Sequence, residues 1–176
     1  PLTHTQGFNP RPSVSIALPL SVGIESDCEL LDFDLDGETF ENDHIRSALN
    51  CALIEGIEVL DVYNNGRKIR DIAYLQTEIH MHYDRDIPVA AVDLIERLFQ
   101  SESVLVVKKT KNGEQEQNIV SMIRDFSVQQ AGERCIRIVA VHCCQNPALN
   151  PMQIAAAIEK YLPECKADFC KYRRIE

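Results

Sequence analysis

The sequence predicts an α+β fold made of two ferredoxin-like halves packed together, each with a split β-α-β order of elements. Apolar residues recur at every second position in some segments and at helical spacing in others, which indicates both strands and helices. In residues 73–176 these segments follow the ferredoxin-like order once one hairpin is set aside. The 176 residues, 45% apolar and 26% charged, suit one ordinary domain or two small ones.

Two strands are predicted at the start of the first half, which covers residues 1–72. Residues 13–20 alternate apolar side chains with small ones, as expected of a strand with one buried face. Residues 28–35 also alternate, with aspartates between the later apolar positions. In both strands the polar positions would face solvent.

A helix and a third strand complete the first half. Asn42 or Asp43 is the expected N-cap, because a short polar side chain accepts hydrogen bonds from the free N–H groups of the first turn. Gly56 is expected to end the helix, and residues 57–63 are predicted as a strand that leads into a turn at 64–66. This order lacks the opening strand and helix of a ferredoxin-like half, so we expect both to be missing from this chain.

The second predicted half covers residues 73–176 and has all the elements of a ferredoxin-like domain. Pro88 suits the first turn of its first helix, where the missing N–H of proline costs nothing. Asn150 and Pro151 suit the cap and the first turn of its second helix, which Pro163 ends. The predicted strands are 73–83, 104–109, 135–143 and 167–175. A hairpin around 110–128 is inserted, with a turn at Asn112-Gly113, a helical turn at 119–123 and a short strand at 126–128.

Charge and cysteine content restrict the class of function. The net charge is −9, and no Lys or Arg interrupts the nine acidic residues between Glu25 and Asp43. Unselective binding to nucleic acid is therefore not expected, because such binding needs a positive surface. The seven cysteines form no C-x-x-C pair, and the sequence has no apolar run long enough to span a membrane. We expect reduced thiols, a cytoplasmic protein and no membrane partner.

His80 and His82 form an H-x-H pattern on the predicted strand 73–83. Side chains two positions apart lie on the same face of a strand, so both imidazoles could bind one metal ion. A third ligand would have to come from elsewhere, for example from His142 or Cys143. The more frequent alternative is a solvated sheet face that binds no metal.

Basic residues cluster at the end of the chain, where Lys171 and Arg173 lie on one face of the predicted last strand and Arg174 follows. Together with Arg11 they could contact the phosphates of a nucleic acid. Alternatively, they charge an edge strand and so prevent its pairing with another chain. The sequence slightly favours the role at an edge.

The opening segment is a stiff loop with groups that suit binding. One glycine and two prolines restrict its backbone, and Gln6, Phe8, Asn9 and Arg11 supply an aromatic ring and hydrogen-bonding groups. Loops held in this way often bind ligands, although a purely structural turn is an equal alternative. If it binds, the loop between Gln6 and Arg11 faces a groove rather than the core.

The stretch THTQGFNPRPSVSIALPLSVGIESDCELLDFDL, residues 3–35, resembles the signature of the radical-SAM-linked protein family. The resemblance continues more weakly through MIRDFSV at 122–128 and YRRIE at 172–176. This bacterial family is uncharacterised, and its members are fused to radical SAM enzymes or encoded beside them. In the family a strand and a helix precede this stretch, and a Gly-rich segment is usual where this chain has CCQNPALNP.

The resemblance implies an accessory module that docks on a radical SAM enzyme or presents its substrate. The C-x-x-x-C-x-x-C spacing that holds the radical SAM cluster is absent from this sequence. The iron–sulfur cluster and S-adenosylmethionine would therefore belong to the partner enzyme, and we expect no cofactor and no catalytic residue in this chain. The alternatives are an RNA-binding module that guides RNA modification, and a metal- or thiol-dependent enzyme.

Overall fold

The computed structural model describes residues 2–37, 39–64, 69–110, 113–145 and 147–176. Within these ranges it contains nine strands and three α-helices, which confirms the mixed α+β class. The chain divides into two compact units, residues 1–17 with 30–71 and residues 18–29 with 72–176. The sequence prediction placed 18–29 in the first half, whereas in the structure this segment belongs to the second unit.

The first unit contains a small antiparallel sheet and one helix. Strands β1 (Val14–Ile16) and β3 (Leu31–Phe33) pair with Val14 opposite Phe33. Helix α1 (Asn42–Ala52) follows, and no residue of this helix is fully buried. Both strands are shorter than predicted. Strand β1 cannot continue to residue 20, because the backbone of Leu18 takes a left-handed conformation (φ 63°).

The predicted third strand at 57–63 is wrong, because the described residues there form no strand. The side chain of Asn50 instead forms two hydrogen bonds with the backbone of Val59. It donates to the Val59 carbonyl at 3.0 Å and accepts from the Val59 N–H at 2.7 Å. A side chain thus takes the place of a neighbouring strand. In the predicted turn at 64–66, residues 65 and 66 lie outside the described residues.

The predicted ends of α1 are also wrong. Glu41 precedes the helix without a capping side-chain hydrogen bond, and Asn42 and Asp43 lie inside the first turn. The helix ends at Ala52, so Gly56 uses its positive φ of 92° in a separate turn beyond it.

The second unit is built on a five-stranded sheet with the order β2-β9-β4-β8-β7. The pairs β9–β4, β4–β8 and β8–β7 are antiparallel, and β2 is parallel to β9. One face of the sheet shares a core with helices α2 (Ala91–Phe99) and α3 (Met152–Tyr161). The strands are β2 (Ile24–Ser26), β4 (Tyr74–His82), β7 (Ile123–Gly132), β8 (Cys135–Cys143) and β9 (Phe169–Arg174).

The hairpin of the second unit is separate from this sheet. Strands β5 (Leu105–Thr110) and β6 (Gly113–Asn118) pair only with each other among the described strands. The sequence prediction gave residues 104–109 a place in the main sheet, but that place belongs to β7, which is much longer than the predicted strand at 126–128. The predicted helical turn before β7 is confirmed as Val120–Met122, and Asn112 of the predicted hairpin turn lies outside the described residues.

Strand β9 is internal to the sheet, so the prediction of an edge strand is wrong. It lies between β4 and β2, and β2 was not predicted as a separate strand. Pro88 also lies before its helix rather than inside it, because α2 begins at Ala91 after a left-handed residue, Ala90 (φ 59°). Asn150 Oδ1 accepts a hydrogen bond from the Met152 N–H at 3.0 Å, as predicted for a capping side chain, but Pro151 precedes α3 instead of lying in its first turn.

Candidate functional site

The opening loop projects its predicted binding groups into solvent. The Thr5 N–H donates to the Arg11 carbonyl at 2.8 Å, and the Arg11 N–H donates to Thr5 Oγ1 at 3.0 Å, which closes the base of the loop. Gly7 has a φ of 147°, which favours glycine at this position. Gln6, Phe8, Asn9 and Arg11 are all exposed, and Phe8 is fully so. A binding role for these four residues stays a prediction.

An apolar groove of about 370 Å³ lies in the same unit, between its small sheet and α1. It exists because the unit leaves its apolar strand and helix faces partly uncovered. Gln6, Phe8, Asn9 and Arg11 are not among the residues that line this groove. The groove is lined by Leu2, Val14, Leu31, Phe33, Leu35, Phe40, His44, Ile45, Ala48 and Leu49.

The face of the five-stranded sheet opposite the core carries Glu78, His80 and His82 on β4. Their neighbours Thr77, Ile79 and Met81 are buried on the core face, so strand alternation places the three polar residues together. His80 Nε2 lies 3.3 Å from Glu78 Oε1. His82 stacks on His80, with their ring centroids 6.2 Å apart.

Glu78 is held between two basic groups. Its Oε1 accepts a hydrogen bond from Arg137 Nε on the neighbouring strand β8. Partial burial raises the pKa of Glu78, but the hydrogen bonds from Arg137 and His80 outweigh this effect and hold the pKa below its ordinary value. Glu78 is therefore ionised near neutral pH and fixes the orientation of the His80 ring.

The third group beside the two histidines is Cys135. It lies opposite His82 in the β4–β8 pair, and its Sγ is 3.7 Å from His80 Nδ1. His142 and Cys143, the predicted third ligands, do not reach this cluster: His142 lies on the core face, and Cys143 pairs with Tyr74 at the other end of the strands. Only the register between β4 and β8 could have identified Cys135.

The basic residues of β9 are all engaged by acidic residues of the segment 25–29. Arg174 is nearly buried and also donates to the Leu18 carbonyl at 3.1 Å. These contacts leave little free positive charge for phosphate, so nucleic-acid binding by Lys171, Arg173 and Arg174 stays a prediction without further support. The pairs are Lys171 with Glu25 at 2.9 Å, Arg173 with Asp27 at 2.6 Å and Arg174 with Glu29 at 2.7 Å.

A second cavity, of about 410 Å³, opens on the core side of the second unit. Thr77, Lys108, His142 and Arg174 contribute polar groups to its lining, beside the start of α3. Burial, reinforced by the nearby Arg174 charge, lowers the pKa of His142 although a hydrogen bond to a backbone carbonyl opposes this. These residues come from four distant parts of the chain, which is why sequence reasoning did not predict that they share a cavity.

The described residues define an α+β protein with an exposed loop, an apolar groove and a polar sheet face as candidate binding surfaces. None of its described helices is long and apolar enough to cross a membrane. Residues 1–151 match the family model described as "Uncharacterized protein conserved in bacteria (DUF2344)". The match covers most of the chain, and the chain belongs to this family. No curated protein and no solved structure shows significant similarity to it.

Proposed function

We propose that the chain is an accessory module of a radical SAM system, which docks on the enzyme or presents its substrate. The support is the resemblance of residues 3–35 to the signature of radical-SAM-linked proteins, and this stretch falls within the matched family region. In this proposal the iron–sulfur cluster and S-adenosylmethionine are bound by the partner enzyme. The chain contributes a binding surface and no catalytic group.

The fold proposed for the second unit is ferredoxin-like. Its strands β9, β4, β8 and β7 are adjacent in this order and antiparallel, and α2 and α3 follow β4 and β8 in the chain. Strand β2 extends this arrangement at the outer side of β9. The first unit contains two strands and one helix of the other proposed ferredoxin-like half, the first half of the sequence prediction.

The observation that carries the docking proposal is the exposed loop, with Phe8 at full exposure. Val14, Ile16 and Leu31 of the same unit are exposed as well, and a large exposed apolar patch on a protein often marks an interaction site. The apolar groove belongs to the same unit, and so does most of the acidic stretch up to Asp43. We therefore expect the docking surface of the radical SAM enzyme to be apolar with a basic rim.

The test is co-purification of the full-length protein with the radical SAM enzyme encoded beside it. The Phe8→Ala variant should be retained at least about tenfold less well, because aromatic anchors dominate the binding energy of interfaces. Val89→Ala is the matched control, since Val89 is also an exposed apolar residue but lies in the second unit. Equal retention of Phe8→Ala and the unmodified protein, or no complex at all, would contradict the proposal.

The described surface gives RNA binding little support. The three basic residues of β9 that could have contacted phosphate are each paired with a carboxylate. Arg11 is exposed on the loop, but a single arginine supplies little of the affinity that nucleic-acid binding needs.

A further inference from the structure

Three side chains on the polar face of the five-stranded sheet carry the ligand atoms preferred by transition metals. They are His80, His82 and Cys135, and their candidate ligand atoms all lie within 4.8 Å of one another. We propose that these three residues bind a divalent transition-metal ion of the zinc class. The proposal concerns the second unit and does not depend on the docking function of the first.

The register of the sheet brings the three ligands together. His80 and His82 are two positions apart on β4 and so share a face. Cys135 is the direct cross-strand partner of His82 on β8 and the diagonal neighbour of His80, so its side chain lies within reach of both histidines. Because both strands are anchored in the core through alternate residues, the ligand backbone is rigid before any metal binds.

The distance between His80 and Cys135 is close to that expected around a tetrahedral ion. Nitrogen and sulfur ligands at about 2.0 and 2.3 Å from a tetrahedral zinc ion lie about 3.5 Å apart. His80 Nδ1 and Cys135 Sγ are 3.7 Å apart. Moving the His82 ring about its side-chain torsions, without any backbone change, would shorten the longer separations.

Glu78 provides an independent argument, because it has the position of an outer carboxylate. Metal-binding histidines usually donate the hydrogen of their second ring nitrogen to a carboxylate, which orients the ring and makes the ligand nitrogen more basic. His80 Nε2 lies 3.3 Å from Glu78 Oε1, and this leaves Nδ1, the atom near Cys135, free to bind the ion. Arg137 in turn holds Glu78 in place.

The ligand set selects the class of metal. Two imidazoles and one thiolate suit Zn²⁺ and Co²⁺, whereas Mg²⁺ and Ca²⁺ require oxygen ligands. On binding, the Cys135 thiol loses its proton to solvent and the sulfur forms the bond to the ion. Three protein ligands leave a fourth tetrahedral position for water or for an outside ligand, which is the pattern of open zinc sites.

The test is a Co²⁺ titration of the reduced full-length chain, followed by displacement with Zn²⁺. One equivalent of Co²⁺ should produce a sulfur-to-cobalt charge-transfer absorption, which Zn²⁺ then removes. The Cys135→Ser variant should lose this absorption, and His82→Ala should bind at least about tenfold more weakly. Because both residues lie on the open sheet face, circular dichroism should show unchanged folding.

Two further sets of variants make the result decisive. Glu78→Gln should keep the absorption and weaken binding about 10–100-fold, as expected for an outer partner of a metal ligand. Cys143→Ser and His44→Ala are the controls, because Cys143 is a half-buried thiol on the same strand and His44 is an exposed histidine of the first unit. The proposal is overturned if the unmodified chain gives no such absorption, or if Cys135→Ser retains it.

Discussion

Thr77 and His142 form a buried hydrogen bond of 2.9 Å between Oγ1 and Nε2 on the core face of the second unit. Their exposed fractions are 2% and 1%. His142 Nδ1 lies 3.3 Å from the Cys143 carbonyl, which can only accept. Nδ1 therefore carries the ring hydrogen, and Nε2 accepts the hydrogen of the Thr77 hydroxyl. This pair, whose side chains are almost completely buried, links β4 to β8.

Replacing Thr77 with valine should destabilise the protein by about 1–3 kcal/mol. The shape of the side chain is kept, but Nε2 of His142 is left buried without its partner, and an unsatisfied buried polar group costs that much. Urea unfolding followed by circular dichroism measures the free energy of unfolding. Thr39→Val is the control, because Thr39 is exposed. If Thr77→Val lowers the free energy of unfolding no more than Thr39→Val does, the hydrogen bond between Thr77 and His142 is contradicted.

The stability of the protein should fall as the pH is lowered below about 6.5, the ordinary pKa of histidine. Burial lowers the pKa of His142 in the folded state, and Arg174 and Lys108 line the same cavity. The unfolded chain then binds a proton that the folded protein excludes, so the stabilisation is complete above pH 6.5 and is lost as the pH falls toward the folded pKa.

The measurement is the free energy of unfolding at several pH values between about 5.5 and 7.5, where carboxylates stay ionised. The His142→Gln variant removes the titrating group, so its free energy of unfolding should depend less on pH than that of the unmodified protein. His44→Gln, at an exposed histidine of α1, is the matched control for this substitution. Parallel profiles for the unmodified chain and His142→Gln would refute this prediction.

Much of the second unit could be predicted because its signals are local. The alternation that marks β4 and β8, and the apolar spacing of α2 and α3, are properties of single segments. The place of β9 in the sheet could not be predicted in this way. It depends on β2, a three-residue strand from a distant part of the chain, which pairs with β9 and converts an apparent edge into an internal strand.

The candidate sites show the same difference between local signals and contacts between distant parts of the chain. Sequence spacing was enough to place His80 and His82 on one face, but the residue that joins them, Cys135, is more than fifty positions away. In the first unit, the apolar residues at 57–63 suggested a strand, yet Asn50 already satisfies the backbone of Val59 there. A propensity for strand is realised only where a neighbouring strand is free to pair.

Arg174 and Arg173 are neighbours on β9 that should respond differently to replacement by methionine. Arg174 is 8% exposed and bonds both Glu29 and the Leu18 carbonyl, so its loss should cost about 2 kcal/mol of unfolding free energy. Arg173 is exposed and paired with Asp27, and exposed ion pairs contribute little. Chemical unfolding of both variants provides the comparison, and equal effects would show that segment 18–29 is not held by Arg174.

Tyr161 fastens the β5–β6 hairpin to α3, so Tyr161→Phe should loosen the hairpin while leaving the main sheet intact. Its hydroxyl accepts from the Leu105 N–H and donates to the Leu105 carbonyl, both at 3.1 Å. Lys160 Nζ also donates to this carbonyl, at 3.0 Å, and limits the loss of stability to about 1 kcal/mol. Hydrogen exchange of backbone amides should therefore be faster in β5 and β6 but unchanged in β4 and β8. Tyr63→Phe, at an exposed tyrosine, should leave the exchange rates of all four strands unchanged. Equally faster exchange in all four strands of Tyr161→Phe would mean that the hairpin does not open on its own.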